Sequence, residues 1–477
     1  MKRKYLKPLF FIGCLIAITG AAMAYSSREN PWMPNLITGP NPGNPDKNGV
    51  ISLTGRLVQD KVLQGGEGTV DLALSLHADD MLNPDKGNAQ YADMVIVLDR
   101  SGSMKGSKIR NAKNAILNLL SDLSEKDRFA LIAYSDGVEK HSDLVPVTGV
   151  NRRHLISLVK RIWASGGTNL GAGLQTGINT LVRDKKIGNI GKVILISDGL
   201  ANQGITDSFS LGNMAAIAVD KEFSVATVGV GTEFNEQLMT YIADQGAGNY
   251  YYLKNPKVFA EVFQKEFYNS RATAATAVEI KIPLRNGMSL ANASGYPIKV
   301  TKNHALFHPG NLHSGQTRTL FLTFKMAPHN QKTFEINGIT ARYIHKGQPY
   351  SALLSECFEI ACVKNQREVI SSIDKEEWEK QVTQEDYNKL KDEVSMDIKD
   401  GKEKKALDRI QTYYRKKQQV NTVVGSGKVA ENLDKDLNEL RHVVKDTFTG
   451  SSEAIRQKQK ANAKALQYEG YKGRRTN

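Results

Sequence analysis

Cysteine is nearly absent from this chain, with three in 477 residues, at positions 14, 357 and 362. That scarcity excludes a disulfide-stapled scaffold, and neither Cys357 nor Cys362 has the neighbours of a zinc ligand. Other signatures are missing as well. There is no G-x-S-x-G elbow, no assembled Ser-His-Asp set, no Walker loop, and no EF-hand loop with its terminal glutamate. Nucleophilic catalysis and nucleotide binding therefore have no support, and the chain reads as a non-enzyme. His304, His308 and His313 lie close in sequence and invite a zinc or copper reading, but Pro309 and Gly310 make a loop there and no cysteine or paired carboxylate joins them.

The apolar stretch Leu9 to Ile18 is shorter than the about 20 residues of a membrane-spanning helix. It follows a basic start and precedes Ala22 and Ala24 in an A-x-A arrangement, so residues 1–24 read as a secretory signal cut after Ala24. A retained anchor and lipidation at Cys14 are the alternatives, the latter against a poor lipobox. Export leaves Cys357 and Cys362 as an even pair: either they are bridged, or they share a strand, where odd spacing points them to opposite faces. The expected location is the periplasm or cell envelope, with the extracellular space also open.

Net charge is +14, and residues 451–477 alone hold seven Lys/Arg against Glu453 and Glu469. Such a field draws acidic partners, among them anionic lipid and polysaccharide of an envelope surface, with nucleic acid not expected for an exported chain. The simplest reading of this segment is a solvated basic tail after the last helix.

Five prolines make residues 25–48 a linker that cannot be helix or central strand. From Val50 to Leu82, Val70, Leu72, Leu74 and Leu76 alternate with Asp71, Ala73 and Ser75, the period of a strand with one apolar face. Val278, Ile280, Ile282 and Leu320, Leu322, Phe324 repeat the pattern. Between these parts, strands are expected near 93–98, 128–134, 192–197, 224–230 and 249–253, alternating with helices such as the one carrying Ile109, Ala112, Ile116, Leu119 and Leu123. Tyr250, Tyr251 and Tyr252 fall on an edge strand, for packing or for contact. Beyond Val363 two helical stripes, Leu390-Val394-Ile398 and Leu433-Leu437-Leu440-Val444, predict a small antiparallel bundle.

The chemistry concentrates in MVIVLDRSGSM, residues 94–104. A continuous apolar run, the mark of a parallel strand covered on both faces, stops at Asp99, and Ser101 and Ser103 follow. Loops leaving the carboxyl ends of such strands are where open α/β sheets hold ligands. KVILISDG likewise runs apolar into Asp198, and the glycine-rich ASGGTNLG offers Thr168. Two carboxylates and three hydroxyls are hard oxygen donors suited to Mg2+, with Mn2+ or Ca2+ also accommodated, and a place left for an outside group.

The spacing Asp-x-Ser-x-Ser, then a distant Thr and a distant Asp, resembles the metal-ion-dependent adhesion site of von Willebrand factor A domains. Asp99, Ser101, Ser103, Thr168 and Asp198 supply the full set. The flanks MKGSKI, SDGLANQG and VATVGVGTEFNEQLMTYIADQGAGNYYYL are similar to bacterial members close to the inter-alpha-trypsin-inhibitor heavy-chain type.

The resemblance implies a doubly wound, mostly parallel α/β sheet over residues 90–270. The strand alternation on either side reads as a β-sandwich over residues 49–89 and 271–363 in which that sheet is inserted or by which it is flanked, the alternative being two unrelated β segments, and a helical region with a basic tail is expected over 364–477. The resemblance further implies that the open metal position takes an Asp or Glu of a protein partner. Ser101 and Ser103 would then ligate directly, Asp99 and Asp198 would act by charge and through water, and Thr168 would move with engagement. The expectation is an exported metal-dependent adhesion or scaffold protein. Its rivals are a structural envelope protein whose metal only stabilises the fold, and an accessory subunit of an enzyme complex.

Overall fold

Strand Ala92–Asp99 is buried at every residue, and its two faces feed two different cores. Met94, Ile96 and Leu98 pack against helices Ser107–Asp122, Gly149–Arg161 and Phe259–Arg271. Val95 and Val97 pack against helices Leu170–Asp184, Ser208–Asp220 and Glu236–Gln245. A strand covered on both sides has no polar face to show, which is why its middle, Met94 to Leu98, is unbroken apolar sequence.

In this computed structural model, which describes residues 49–81, 90–285, 287–328 and 333–475, that strand is central in a seven-stranded sheet. The order is 247–253, 223–230, 190–197, 92–99, 128–134 and 138–140, with 145–146 also on 128–134. The first five strands are parallel and the two short ones antiparallel. The secretory signal and proline-rich linker expected over residues 1–48 lie outside the described residues. Among the described residues no helix is long and apolar enough to cross a membrane.

The flanking β segments meet across the insertion. Strand Thr69–Ala78 pairs antiparallel with Thr317–Met326, setting Val70, Leu72 and Leu74 opposite Phe324, Leu322 and Leu320. Strand Lys61–Leu63 pairs parallel with Phe358–Val363. A four-stranded sheet built on the first pairing shares one core with a six-stranded sheet centred on Thr273–Pro283, into which Val278, Ile280 and Ile282 point. Strand Ala92–Asp99 begins just beyond the first β segment, and helix Phe259–Arg271 runs at once into Thr273–Pro283. The α/β part is therefore entered and left at the amino ends of its strands.

Cys357 and Cys362 are both free thiols, so the bridge considered above does not form. Cys362 lies within strand Phe358–Val363 and directs its thiol to the Pro328 carbonyl at 3.3 Å. Cys357 precedes the strand, and its sulfur faces Asn337 Nδ2 at 3.5 Å.

The helical region buries both predicted stripes in one cluster with Trp378, Ala406, Ile410 and Leu466. The solvated basic tail is corrected by the structure. Ser452–Arg475 is a helix laid along Tyr387–Lys399, and most of its cations are spent inside the molecule. Lys458 pairs with Asp446, Lys460 with Glu233, Lys464 with Glu236, Arg474 with Glu385 and Asp392, and Arg475 with Asp244. Little of that positive field is left for an anionic surface. The same helix explains the tyrosine run: Tyr250 and Tyr252 pack edge-on against Tyr468, and the Tyr471 hydroxyl accepts the Tyr250 amide at 3.1 Å.

Where the helices meet the sandwich, half-buried Asp71 shares a cleft with Asp386, Lys417 and Trp378. Burial first, then the neighbouring Asp386, push its carboxyl up to about 7, against the Thr323 hydroxyl bond at 2.6 Å. With the folded value above the ordinary 3.8, this group stabilises most below that value, and its contribution is lost as pH rises towards 7. Asp71→Asn is expected to be more stable than the native chain at pH 8 by about 1–2 kcal/mol, discounted for solvent in the cleft, and equal to it near pH 4. Urea melts at the two pH values check this, and equal differences at both would refute it.

Candidate metal centre

The central strand ends on Asp99, and the five predicted oxygen donors gather at this carboxyl edge. Asp99 and Asp198 are wholly buried, Ser101 and Thr168 nearly so, and Ser103 faces solvent. Asp99 accepts the Ser101 amide on Oδ1 at 2.8 Å and the Ser197 hydroxyl on Oδ2 at 2.9 Å. Ser101 Oγ and Ser103 Oγ are 3.0 Å apart, and Ser103 Oγ donates to Asp198 Oδ1 at 2.7 Å.

Thr168 arrives from across the sheet. Its position depends on Gly173 and Gly177 of helix Leu170–Asp184, where a Cβ would lie 2.7 Å from Tyr134 and 2.5 Å from Val97. Their absence of side chain lets the helix start close to the strand ends. A Cβ built on Gly199 would stand 3.5 Å from Thr168 Oγ1 and 3.6 Å from Ser103 Oγ, so one small residue separates the two hydroxyls.

Two buried carboxylates side by side are costly without a cation. Burial raises the Asp99 carboxyl to about 6, moderated by its Ser101 bonds and raised further by Asp198. The same burial, together with Asp99, raises the Tyr134 hydroxyl beneath, which donates to the Ile196 carbonyl at 2.9 Å. Two carboxylates and three hydroxyls, hard oxygens brought together from three loops, fit a small divalent cation, which would supply a Lewis-acidic seat for an outside oxygen ligand.

The histidines do not form a rival centre. His304 pairs opposite Pro283 and His313 opposite Thr273, the two ends of one long strand. His313 is half-buried, and desolvation is the main cause that pushes its ring down to about 4. Among the described residues no three His, Cys, Asp or Glu side chains come together as a metal cluster.

Several site residues escaped the sequence. Lys108, in the first turn of helix Ser107–Asp122, holds Asp198 Oδ2 at 2.5 Å. Exposed Asp136 pins the glycine loop by accepting the Gly167 amide at 2.8 Å and Gln203 Nε2 at 2.7 Å, bonds that hold its carboxyl below the usual range. Asn202 Oδ1 accepts the Thr168 amide at 3.0 Å. These are contacts between loops far apart in sequence, and no local pattern announces them. Beside the donors, Trp163 and Leu200 stand exposed, Leu200 two residues after Asp198 and the Arg100 guanidinium over the Trp163 ring at 5.7 Å; Phe209, at the start of the next helix, is exposed as well.

Residues 93–265 match the family model described as the von Willebrand factor type A domain. This segment is a von Willebrand factor type A domain. Such domains commonly bind a divalent metal at this motif and mediate protein contacts. The uncharacterized protein YfbK of Escherichia coli K12 is 28% identical over 207 residues, 43% of this chain and 36% of that protein. Human inter-alpha-trypsin inhibitor heavy chain H4 is 27% identical over 195 residues, 40% of this chain and 21% of that one. The chain thus spans well under half the length of these relatives. A solved von Willebrand factor type A protein from Catenulispora acidiphila superposes with TM-score 0.65 at 16% identity, covering 90% of this chain and 99% of its own. The ArnB paralog VWA2 of Sulfolobus acidocaldarius gives 0.52 at 15%, covering 88% and 99%. Shared fold therefore extends from the A domain to its β and helical surroundings.

Proposed function

We propose that this chain is an exported protein-binding protein, not an enzyme, whose A domain uses Mg2+ to capture an Asp or Glu side chain of a partner protein in the cell envelope. The observation that carries this is the convergence of Asp99, Ser101, Ser103, Thr168 and Asp198 on one spot at the carboxyl edge of the sheet. Ser101, Ser103 and Thr168 are the neutral donors, and Asp99 and Asp198 balance a divalent charge without exceeding it, so an anionic ligand from outside remains welcome. Mn2+ or Ca2+ suit the same oxygens. The exposed Trp163, Leu200 and Phe209 give the partner apolar area around that central contact.

The experiment is a crosslinking pull-down from envelope extract. The native chain is expected to retain a partner in Mg2+ and release it in EDTA, while Asp99→Ala retains none in either. A variant that kept every partner would end the metal-capture reading. The burial of both carboxylates favours a second reading, in which the ion only stabilises the fold. There, Mg2+ at about 100 times its Kd adds roughly 2.7 kcal/mol of stability while the Asp99→Ala pull-down is unaltered.

A further inference from the structure

Lys108 stands where a cation is out of place for its own helix. Helix Ser107–Asp122 starts after Gly106, and Lys108 lies in its first turn, where the helix dipole favours negative charge. No acidic residue occupies that turn. The lysine stem instead runs beside Gly231, whose φ of +74° shapes the loop after strand Phe223–Val230, and a Cβ there would sit 3.6 Å from Nζ. The ammonium ends 2.5 Å from Asp198 Oδ2, while Ser103 takes Oδ1. Asp198 has no exposed surface, and Lys108 is about one quarter exposed.

We propose that Lys108 is a tethered counter-cation of the metal centre: it competes with the divalent ion for Asp198 and makes metal and anionic ligand bind cooperatively. This rests on the metal reading above. Without a divalent ion, Asp99 and Asp198 against one ammonium leave a single uncompensated negative charge, so the lysine keeps the two buried carboxylates together. With a divalent ion the same groups sum to one net positive charge. The lysine then opposes the metal by like-charge repulsion at short range in a poorly solvated site. An outside carboxylate removes that excess. Metal affinity therefore rises when the carboxylate is present, and carboxylate affinity rises by the same factor when the metal is present. A site with only the two aspartates would hold its metal more tightly and gain less from the charge of a ligand.

The test is Mg2+ calorimetry on the full chain at one pH and salt, with and without acetate as carboxylate probe, for the native protein, Lys108→Met and Lys108→Arg. Lys108→Met is expected to bind Mg2+ at least about tenfold tighter than the native chain when acetate is absent. Acetate should tighten Mg2+ for the native chain and for Lys108→Arg, and have little effect on Lys108→Met. Melting temperature supplies the second readout. In EDTA the methionine variant should melt lower than the native chain, because Asp198 has lost its ion pair, and it should gain more on addition of Mg2+. A purely structural lysine would shift both melts equally. Unchanged or weaker Mg2+ binding by Lys108→Met, with the native chain binding normally, overturns this proposal and leaves the metal reading standing. Failure of all three proteins to bind Mg2+ overturns both. Should Lys108→Met not fold, Lys108→Gln takes its place with the same expected signs.

Discussion

Asp99→Asn is expected to lose Mg2+ and become more stable in EDTA, two effects of opposite sign from one atom change. The carboxylate is one of the two negative charges at the site, and a charge pair a few ångströms apart at a protein-like dielectric is worth about 3–4 kcal/mol, so Mg2+ should weaken at least roughly a hundredfold. The stability effect follows from the folded carboxyl sitting at about 6, above its ordinary 3.8, through burial. A raised acid binds a proton more readily folded than unfolded, so in EDTA the native chain is most stable below 3.8 and loses stability as pH rises to about 6. The amide has no charge to bury, still accepts the Ser101 amide, and should be about 2–3 kcal/mol more stable at pH 8 and level with the native chain near pH 4. Calorimetric titration of Mg2+ and urea melts in EDTA measure the two arms. Retained Mg2+ affinity would remove Asp99 from the site, and a less stable variant at pH 8 would show that burial does not govern its energetics.

The second large effect belongs to the C-terminal helix. Arg475 is buried with a bidentate grip on Asp244, and it also donates to the Gly295 carbonyl at 2.7 Å and lies 4.1 Å over the Tyr471 ring. Asp244 is itself raised by burial, which outweighs the lowering by Arg475. Arg475→Ala leaves that buried carboxylate without its ion-pair partner, at an expected cost of about 3–5 kcal/mol. Adding Asp244→Asn should recover a good part of it, since a neutral amide has no lost partner charge. The loss should deepen as pH rises, because the orphaned acid then ionises. Hydrogen exchange is the direct measurement: amides of 452–475 and of the contacting 387–399 should exchange faster in Arg475→Ala. Unchanged protection there would mean the helix is held by its apolar side alone.

The A domain was legible because its chemistry is local. Unbroken Val/Ile/Leu runs stop at Asp99 and Asp198, and a buried parallel strand has no other way to be written. The sandwich was legible by period, since Val70-Leu72-Leu74 and Leu320-Leu322-Phe324 each present one apolar face, and these two sets turned out to pair with each other. What stayed hidden is long-range ion pairing. Arg475 and Asp244 are 231 residues apart and Lys464 and Glu236 are 228 apart, so composition showed only an excess of basic residues at the end of the chain. A lysine that reaches a buried aspartate is written like one that reaches water. Lys108, too, has nothing in its local sequence that sets it apart from any other helix lysine.

The A domain hangs from the sandwich by two adjacent joints, and its metal edge lies at the opposite pole, eight strand residues or about 26 Å away. Anything tugging on that edge therefore pulls lengthwise along Ala92–Asp99 and its parallel neighbours, in the direction that must shear all their ladder bonds together. The tyrosine and arginine contacts of Ser452–Arg475 with strand Ala247–Leu253 and Asp244 form a second mooring off the axis, which resists swivelling about the joints. The molecule is braced like a grapple on a short stiff arm.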